Sequence, residues 1–217
     1  VDVSGTDATD DLSITMGAGD DRVTIGALAM DGSDTIDAGD GTDTLAMTAE
    51  GALTTATIAR MSNFESLLLS DDNDGAVDTF NTELITGLQS VTIGADNAGD
   101  GYALTNVSST VATDITISGT QAVAPNIGLK GAATVGQIDN LTIKIDDAAT
   151  ADNTITLADL TAANVENVNI DLSAGDNLTF TAATGLTGLT TMTVTGSGDF
   201  NITSGALALN GNASVDA

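Results

Sequence analysis

A repeated strand pattern constrains the fold of this chain more than any other feature. Short apolar segments with strand-like composition recur through residues 64–217, and their first residues are Leu67, Val91, Ile115, Leu141, Val168 and Met192. Successive members are 24, 24, 26, 27 and 24 residues apart. A weaker series follows with nearly the same period, at Phe80, Leu104, Leu129, Ile155, Phe180 and Ile202. Two series with one period predict stacked structural repeats.

The length of the repeat predicts how the repeats stack. A unit of about 25 residues with two or three short strands cannot bury its apolar face alone. Strands stacked about 4.8 Å apart would pair the backbone groups of successive units and enclose a continuous interior. Residues 141–145 alternate as such a strand should, with Thr142 and Lys144 on the face opposite the apolar residues. The sequence therefore predicts an all-β fold, a right-handed parallel β-solenoid (β-roll or β-helix).

The charge of the chain excludes several classes of function. Its 217 residues include 31 acidic and 4 basic side chains and no histidine, for a net charge of −27. Such a charge is typical of disorder, but 41% of the residues are hydrophobic and only 16% are charged, enough to form a core. Four cations cannot neutralise a nucleic acid backbone or bind an anionic membrane surface. We therefore expect no nucleic acid binding, and because the sequence has no run of about 18 apolar residues we expect no membrane insertion.

The absence of cysteine and histidine limits the chemistry further. Thiolate nucleophiles, zinc sites and iron–sulfur sites all need one of these residues. Oxygen ligands remain, and they favour hard cations such as calcium. A sugar-cleaving acid–base pair would need a cleft, usually with aromatic platforms, whereas the five aromatic residues are scattered along the chain. We therefore predict no enzymatic activity.

A second kind of repeat occupies residues 5–47. The pattern is G-x-D-x-U, where U is a large apolar residue, and its aspartates at positions 10, 21, 34 and 43 are 11, 13 and 9 residues apart. Glycine permits the left-handed backbone of a tight turn, so that carbonyl groups and an aspartate can face one cation. Six to eight oxygens at 2.3–2.6 Å suit calcium. The predicted ligands are the carboxylates of Asp21, Asp34 and Asp43 and backbone oxygens near Gly17, Gly19, Gly32, Gly39 and Gly41.

Acidic turns later in the chain are further candidates for calcium. Asp71, Asp72 and Asp74 form the strongest of these clusters, because three carboxylates within four residues repel one another unless a cation or open water separates them. Weaker candidates are the pairs Asp96 with Asp100 and Asp146 with Asp147, and the single residues Asp176 and Asp199.

The two repeat systems suggest three segments: a calcium-binding section over 1–48, a connector over 49–63, and a β-solenoid of about six rungs over 64–217. In the connector, Leu53, Ile58 and Met61 would share one face of a short helix. The alternative is an irregular rung. Because the chain begins with neither methionine nor a signal peptide, we expect it to be an internal part of a larger protein.

Residues 17–45 resemble the calcium-binding RTX repeats of secreted bacterial proteins. Together with rungs such as 63–67 and 164–170, the chain is similar to RTX-type bacterial surface-layer proteins. This resemblance implies a structural protein that self-assembles outside the cell, with calcium as the cofactor and further copies of itself as the partner. Cell-surface polysaccharide would be contacted through another part of the protein. Large RTX adhesins share much of the pattern, so a stalk or repeat module of an adhesin is the alternative.

Overall fold

The computed structural model describes residues 1–2, 11–26, 32–47, 60–70, 75–96, 101–147, 153–204 and the backbone of 214–216. These residues form a parallel β-solenoid of about seven stacked coils, which confirms the predicted fold class. Its strands are β1 (Ser13–Thr15), β2 (Arg22–Ile25), β3 (Thr35–Asp37), β4 (Thr44–Met47), β5 (Met61–Ser62), β6 (Ser66–Leu69), β7 (Val77–Asn81), β8 (Ser90–Ile93), β9 (Gly101–Val107), β10 (Ile115–Ile117), β11 (Asn126–Leu129), β12 (Asn140–Ile145), β13 (Thr154–Leu157), β14 (Asn167–Leu172), β15 (Asn177–Phe180), β16 (Thr191–Gly196), β17 (Phe200–Ile202) and β18 (Ser214–Asp216). Two short 3-10 helices cover Thr82–Leu84 and Val111–Thr113.

One nine-stranded parallel sheet, the main sheet, runs along the described solenoid. It contains the even-numbered strands β2, β4, β6, β8, β10, β12, β14, β16 and β18 in chain order. Strand β4 of the glycine–aspartate section pairs directly with β6, with Leu45 opposite Leu67. The two kinds of repeat therefore share one sheet.

The register of the main sheet agrees with the predicted series except at one step. Leu67 pairs with Val91, Val91 with Ile115, and Val168 with both Leu141 and Met192, as predicted. Ile115, however, pairs with Ile143 and not with Leu141. A shift of two residues keeps the same side chains on the inner face, so the apolar pattern alone does not distinguish these registers.

The second series does not form one continuous ladder. It divides into three three-stranded sheets, β1-β3-β5, β7-β9-β11 and β13-β15-β17. Leu104 pairs with Ile127 and not with the predicted Leu129. In place of a predicted step from Leu129 to Ile155, two isolated bridges join Gln121 to Leu157 and Asn126 to Thr161.

The interior is a narrow column of aliphatic side chains. Inward residues of the main sheet such as Ile25, Ile93 and Ile143 are fully buried, because alternate side chains of each strand face the interior. Phe180 packs edge-on against Phe200 at 5.8 Å between ring centroids.

The predicted connector helix is only partly tested. Residues 48–59 lie outside the described part of the chain. Met61, which was predicted on the helical face, lies instead in β5, whose residues pair with Ile36 and Asp37. Its side chain is buried in the core of the solenoid, and this burial explains its apolar character without a helix. None of the described helices is long and apolar enough to cross a membrane.

Candidate functional site

The glycine–aspartate turns stack directly on one another. Asp40 bridges Ala18, and Gly19 donates its N–H to the Asp40 carbonyl at 2.7 Å. Gly39 has φ +96°, and a Cβ there would lie 2.0 Å from the Gly17 carbonyl oxygen. Glycine is required at this position by its positive φ and by the close approach of the two turns.

The uneven spacing of the aspartates follows from the two strands in each coil. Asp21 and Asp43 precede β2 and β4 of the main sheet, whereas Asp34 precedes β3 of the second sheet. The intervals of 13 and 9 residues are therefore two unequal parts of one coil of 22 residues. This arrangement brings Asp21 and Asp43 to the same corner of the solenoid and places Asp34, with its turn residue Gly32, before a strand of a different sheet.

Asp21 and Asp43 belong to a larger set that we call the corner column. It consists of the residues two positions before the first inward side chain of each main-sheet strand, and it includes Asp21, Asp43, Glu65, Asp139 and Glu166. The Asp21 N–H donates to Asp43 Oδ1 at 2.8 Å, and the Asp43 N–H donates to Glu65 Oε2 at 2.9 Å. The Asp139 N–H donates to Glu166 Oε2 at 2.9 Å. Each accepting carboxylate is thus hydrogen-bonded to the backbone of the preceding coil.

Asp43 is unusual within the corner column. Its side chain is 0% exposed, and Oδ2 has no hydrogen-bond partner. A buried carboxylate oxygen without a compensating partner is costly. A cation at this corner would relieve that cost. Asp139 repeats the feature farther along the column, where its Oδ2 is buried without a partner.

The other predicted ligands are not gathered around Asp43. Asp34 is buried and accepts the Leu12 N–H at 2.7 Å. The Gly17 carbonyl accepts the Asp40 N–H at 3.1 Å, so it already takes part in backbone pairing. Within the described ranges, no three acidic side chains form a group that could hold a metal ion. A calcium ion at Asp43 would therefore need carbonyl or water oxygens in addition to carboxylates. Asp71, Asp72 and Asp74 lie outside the described residues.

Acids of the later turns bind the backbone of adjacent coils. Asp96 is buried and accepts the N–H groups of Ala122 and Val123. Asp176 is also buried and accepts the N–H groups of Asp147 at 2.9 Å and Asn153 at 3.1 Å. These carboxylates satisfy backbone donors at corners where strand pairing is interrupted. Part of the acidic content of the chain therefore has a structural use that needs no cation.

Asp159 makes the most extensive of these contacts. Its carboxylate accepts the Thr184 hydroxyl at 2.6 Å and the N–H groups of Leu160, Thr184 and Gly185. Partial burial by itself would raise the pKa of Asp159, but the hydrogen bonds from Thr184, Leu160 and Gly185 together lower it below its ordinary value. The charged form of Asp159 thus stabilises the contact between two coils.

The lowered pKa of Asp159 predicts an acid-dependent loss of stability. This contribution is fully present above the ordinary aspartate pKa and disappears as the pH falls through the lower pKa of the folded state. Asp159→Asn should cost about 1–2 kcal/mol at neutral pH and reduce the acid dependence, as measured by urea unfolding between pH 2 and pH 7. Asp171→Asn is the control, because the Asp171 carboxylate bonds Ser173 within its own turn. Equal pH profiles for the Asp159 variant and the wild type would contradict this prediction.

Three members of the corner column, Glu65, Asp139 and Glu166, were not predicted as site residues. A signal for them is present in the sequence, because each lies two residues before the first inward residue of a main-sheet strand. Alignment of the chain by strand, and not by glycine motif, places them in one column with Asp21 and Asp43.

Comparison with models of protein families, with curated proteins and with solved structures gives no match for this chain. Its class is therefore defined by its own architecture, a parallel β-solenoid with acidic corners.

Proposed function

We propose that this chain is a structural segment of a calcium-dependent, self-assembling surface layer on the outside of a bacterial cell, with no catalytic role. The observation that carries the proposal is the buried Asp43 carboxylate, whose Oδ2 lacks a partner at a corner of stacked glycine–aspartate turns. The net charge of −27 and the RTX-like motifs of residues 17–45 support the same function. Secretion and membership of the RTX family are proposed from the resemblance of residues 17–45 to RTX repeats.

In this function, calcium would couple folding to location. Asp43 Oδ2, together with backbone carbonyl or water oxygens, would provide the hard donors that calcium prefers. An ion that binds the folded corner but not the open chain stabilises the fold by RT ln(1 + [Ca]/Kd), about 2.7 kcal/mol at one hundred times Kd. Extracellular calcium modules have Kd values of about 10⁻⁴–10⁻³ M. The chain would remain loosely folded at low intracellular calcium and become stable outside the cell.

The proposed site is tested with Asp43→Asn. Asparagine keeps an oxygen for the Asp21 N–H but removes the buried negative charge. We expect calcium to raise the midpoint of thermal unfolding of the wild type, measured by circular dichroism, and to raise that of the variant much less. In chelator the variant should equal or exceed the wild type, because an uncompensated buried charge is gone.

The control for this experiment is Asp171→Asn, which makes the same change of charge at a carboxylate that accepts the Ser173 N–H within its own turn. It should keep the full calcium response. Light scattering on the same samples tests assembly. Unchanged spectra, midpoint and particle size of the wild type between calcium and chelator would overturn the proposed function.

The alternative is a stalk or repeat module of a large RTX adhesin. The continuous main sheet supports this alternative, because coils stacked in one direction form a rod, which is the shape of a stalk. Electron microscopy of calcium-treated protein distinguishes the two functions. Ordered two-dimensional arrays support the surface layer, whereas isolated rods support the stalk.

A further inference from the structure

Defects in packing and hydrogen bonding gather in one coil of the solenoid, residues 115–139, here called the joint coil. Among the described residues, three buried side-chain oxygen atoms have no hydrogen-bond partner, and two of them, Gln121 Oε1 and Asp139 Oδ2, belong to this coil. A buried polar atom without a partner costs free energy, because its hydrogen bonds to water are lost and not replaced. The joint coil therefore carries two of the three such costs in the described chain.

Gln121 places an amide in an otherwise apolar interior. Its side chain is 1% exposed, and its backbone bridges Leu157, which is in register with Phe180 of the coil after that. The amide nitrogen donates to the carbonyl oxygens of Gly94, in the preceding coil, and of Gly119. Neither of these hydrogen bonds reaches the following coil. The amide therefore adds no side-chain hydrogen bond toward the coil that contains Leu157.

The second sheet is interrupted where the joint coil meets the following coil. Strand β11 of the joint coil is the last strand of the sheet β7-β9-β11, and β13 is the first strand of the next sheet. Two isolated bridges, Gln121 to Leu157 and Asn126 to Thr161, take the place of strand pairing at this step. One step later, β13 pairs with β15 through four residues in register. Continuous pairing across this step is therefore confined to the main sheet.

The corner of the joint coil is not packed into the core. In the other coils, the apolar side chains three positions before the first inward residue of a main-sheet strand are buried; these are Phe64, Leu88, Ala112, Val165 and Leu189. Six positions before that residue, the buried side chains are Met61, Ile85, Ala162 and Leu186. Ile138 and Val135 occupy the same two positions in the joint coil, yet they are 68% and 100% exposed. The joint coil thus lacks the apolar burial that this corner provides elsewhere.

A hydrogen bond of the corner column is also missing at the joint coil. Glu65 and Glu166 each accept an N–H group from the corner residue of the preceding coil. The equivalent donor for Asp139 is the Thr113 N–H, which instead bonds the Thr110 carbonyl at 3.2 Å. The short 3-10 helix that ends at Thr113 therefore takes the donor, and this leaves Asp139 Oδ2 buried without a partner.

The contacts that remain across the joint coil are few in kind. Strand β10 pairs with β12 through three residues, whereas β12 pairs with β14 through five. An ion pair joins Lys144 Nζ of β12 to Asp114 Oδ1 at 2.8 Å, but both side chains are about 40% exposed or more, and such pairs contribute little. In a solenoid, each coil mainly contacts its neighbours, so the strength of each interface decides which coils unfold together.

We propose that the joint coil divides the solenoid into two units that open and unfold separately. The first unit contains strands β1–β9, and the second contains β12–β18. The unpartnered oxygens, the interrupted second sheet and the exposed corner together make this coil the place where cooperativity is lost. The division goes beyond the proposed function. One consequence rests on that function: calcium at Asp43 stabilises the first unit and leaves the second unchanged.

The division is tested by hydrogen exchange of backbone amides in the full chain, measured by nuclear magnetic resonance in chelator and in urea below the unfolding midpoint. Ile93→Val and Ile170→Val each shorten a fully buried side chain, in β8 and β14. Ile93→Val should accelerate exchange about fivefold in β4, β6 and β8 but less than about twofold in β14 and β16. Ile170→Val should give the reverse pattern.

The control variant is Val135→Ala, which shortens a fully exposed side chain and should leave exchange in both units unchanged. Both isoleucine variants are conservative, so each retains the fold while it changes the stability of its own unit. If either isoleucine variant accelerates exchange equally in both units, the solenoid unfolds as a single unit and the division is wrong.

Calcium separates this inference from the proposed function. In the wild type, calcium should slow exchange in β4, β6 and β8 and leave β14 and β16 unchanged. If calcium slows exchange in neither unit, the proposed site at Asp43 is wrong, and the isoleucine variants still decide the division. If calcium slows exchange in both units and Asp43→Asn abolishes both effects, the site is supported and the division is overturned.

Discussion

Deletion of Thr142 should lower the free energy of unfolding by at least about 4 kcal/mol. Thr142 lies in the middle of β12, which pairs with β10 through Ile143 and with β14 through Leu141 and Ile143. Removing one residue inverts the alternation on one side of the deletion. If Ile143 keeps its inward position, Leu141 moves to the outer face and Asn140 turns into an apolar interior. The loss of a buried leucine and the burial of an unpartnered amide together give the expected cost.

The matched control is deletion of Ala133, an exposed residue of the loop that connects β11 to β12. This change also shortens the same coil by one residue but leaves every strand in register, so it should cost less than about 1 kcal/mol. Urea unfolding followed by circular dichroism measures both variants. Similar losses from the two deletions would mean that alternation does not set the register of β12.

Replacement of Gly39 by alanine should cost about 3–5 kcal/mol, near the upper end for a single substitution. Two separate effects combine at this residue. Its φ of +96° is unfavourable for any residue with a Cβ, and the added Cβ would lie 2.0 Å from the Gly17 carbonyl oxygen of the adjacent coil. The turn must move away from its neighbour, and the hydrogen bond from Asp40 N–H to that oxygen is weakened with it.

Gly87→Ala separates the two effects. Gly87 has nearly the same φ, +94°, but an added Cβ there meets nothing within 4 Å. It should cost only the backbone term, about 1–2 kcal/mol. Unfolding of both variants is measured in chelator, so that calcium does not contribute. A cost for Gly39→Ala no larger than that for Gly87→Ala would show that the two stacked turns separate easily.

Much of the main sheet could be predicted because its information is local. Alternation of apolar and polar residues within strands such as β12 defines an inner face, and the roughly constant spacing of these strands predicts the stacking. The step from Ile115 was predicted two residues short because the loop between β11 and β12 and the start of β12 lengthen that coil. Both registers leave the same side chains inside, so only the pairing of complete strands distinguishes them.

The candidate site was less predictable because hydrogen bonds between adjacent coils, and not the glycine–aspartate motif, bring its residues together. Asp21, Asp34 and Asp43 look equivalent in the glycine–aspartate repeat, yet Asp34 precedes a strand of the second sheet. Glu65 has no glycine motif beside it, yet it receives the Asp43 N–H. Calcium binding at Asp43 stays a prediction, motivated by its buried oxygen without a partner.

Composition and local alternation sufficed for the class of fold, because a repeated strand pattern with a constant period and few aromatic residues can bury its apolar faces only by stacking. They also excluded thiol and imidazole chemistry, because the required side chains are absent. The tertiary structure decided which acids share a corner, which carboxylates bind the backbone of the next coil, and which apolar corner residues face solvent. These properties depend on register between coils 22–28 residues apart, and a shift of two residues there leaves the local pattern unchanged.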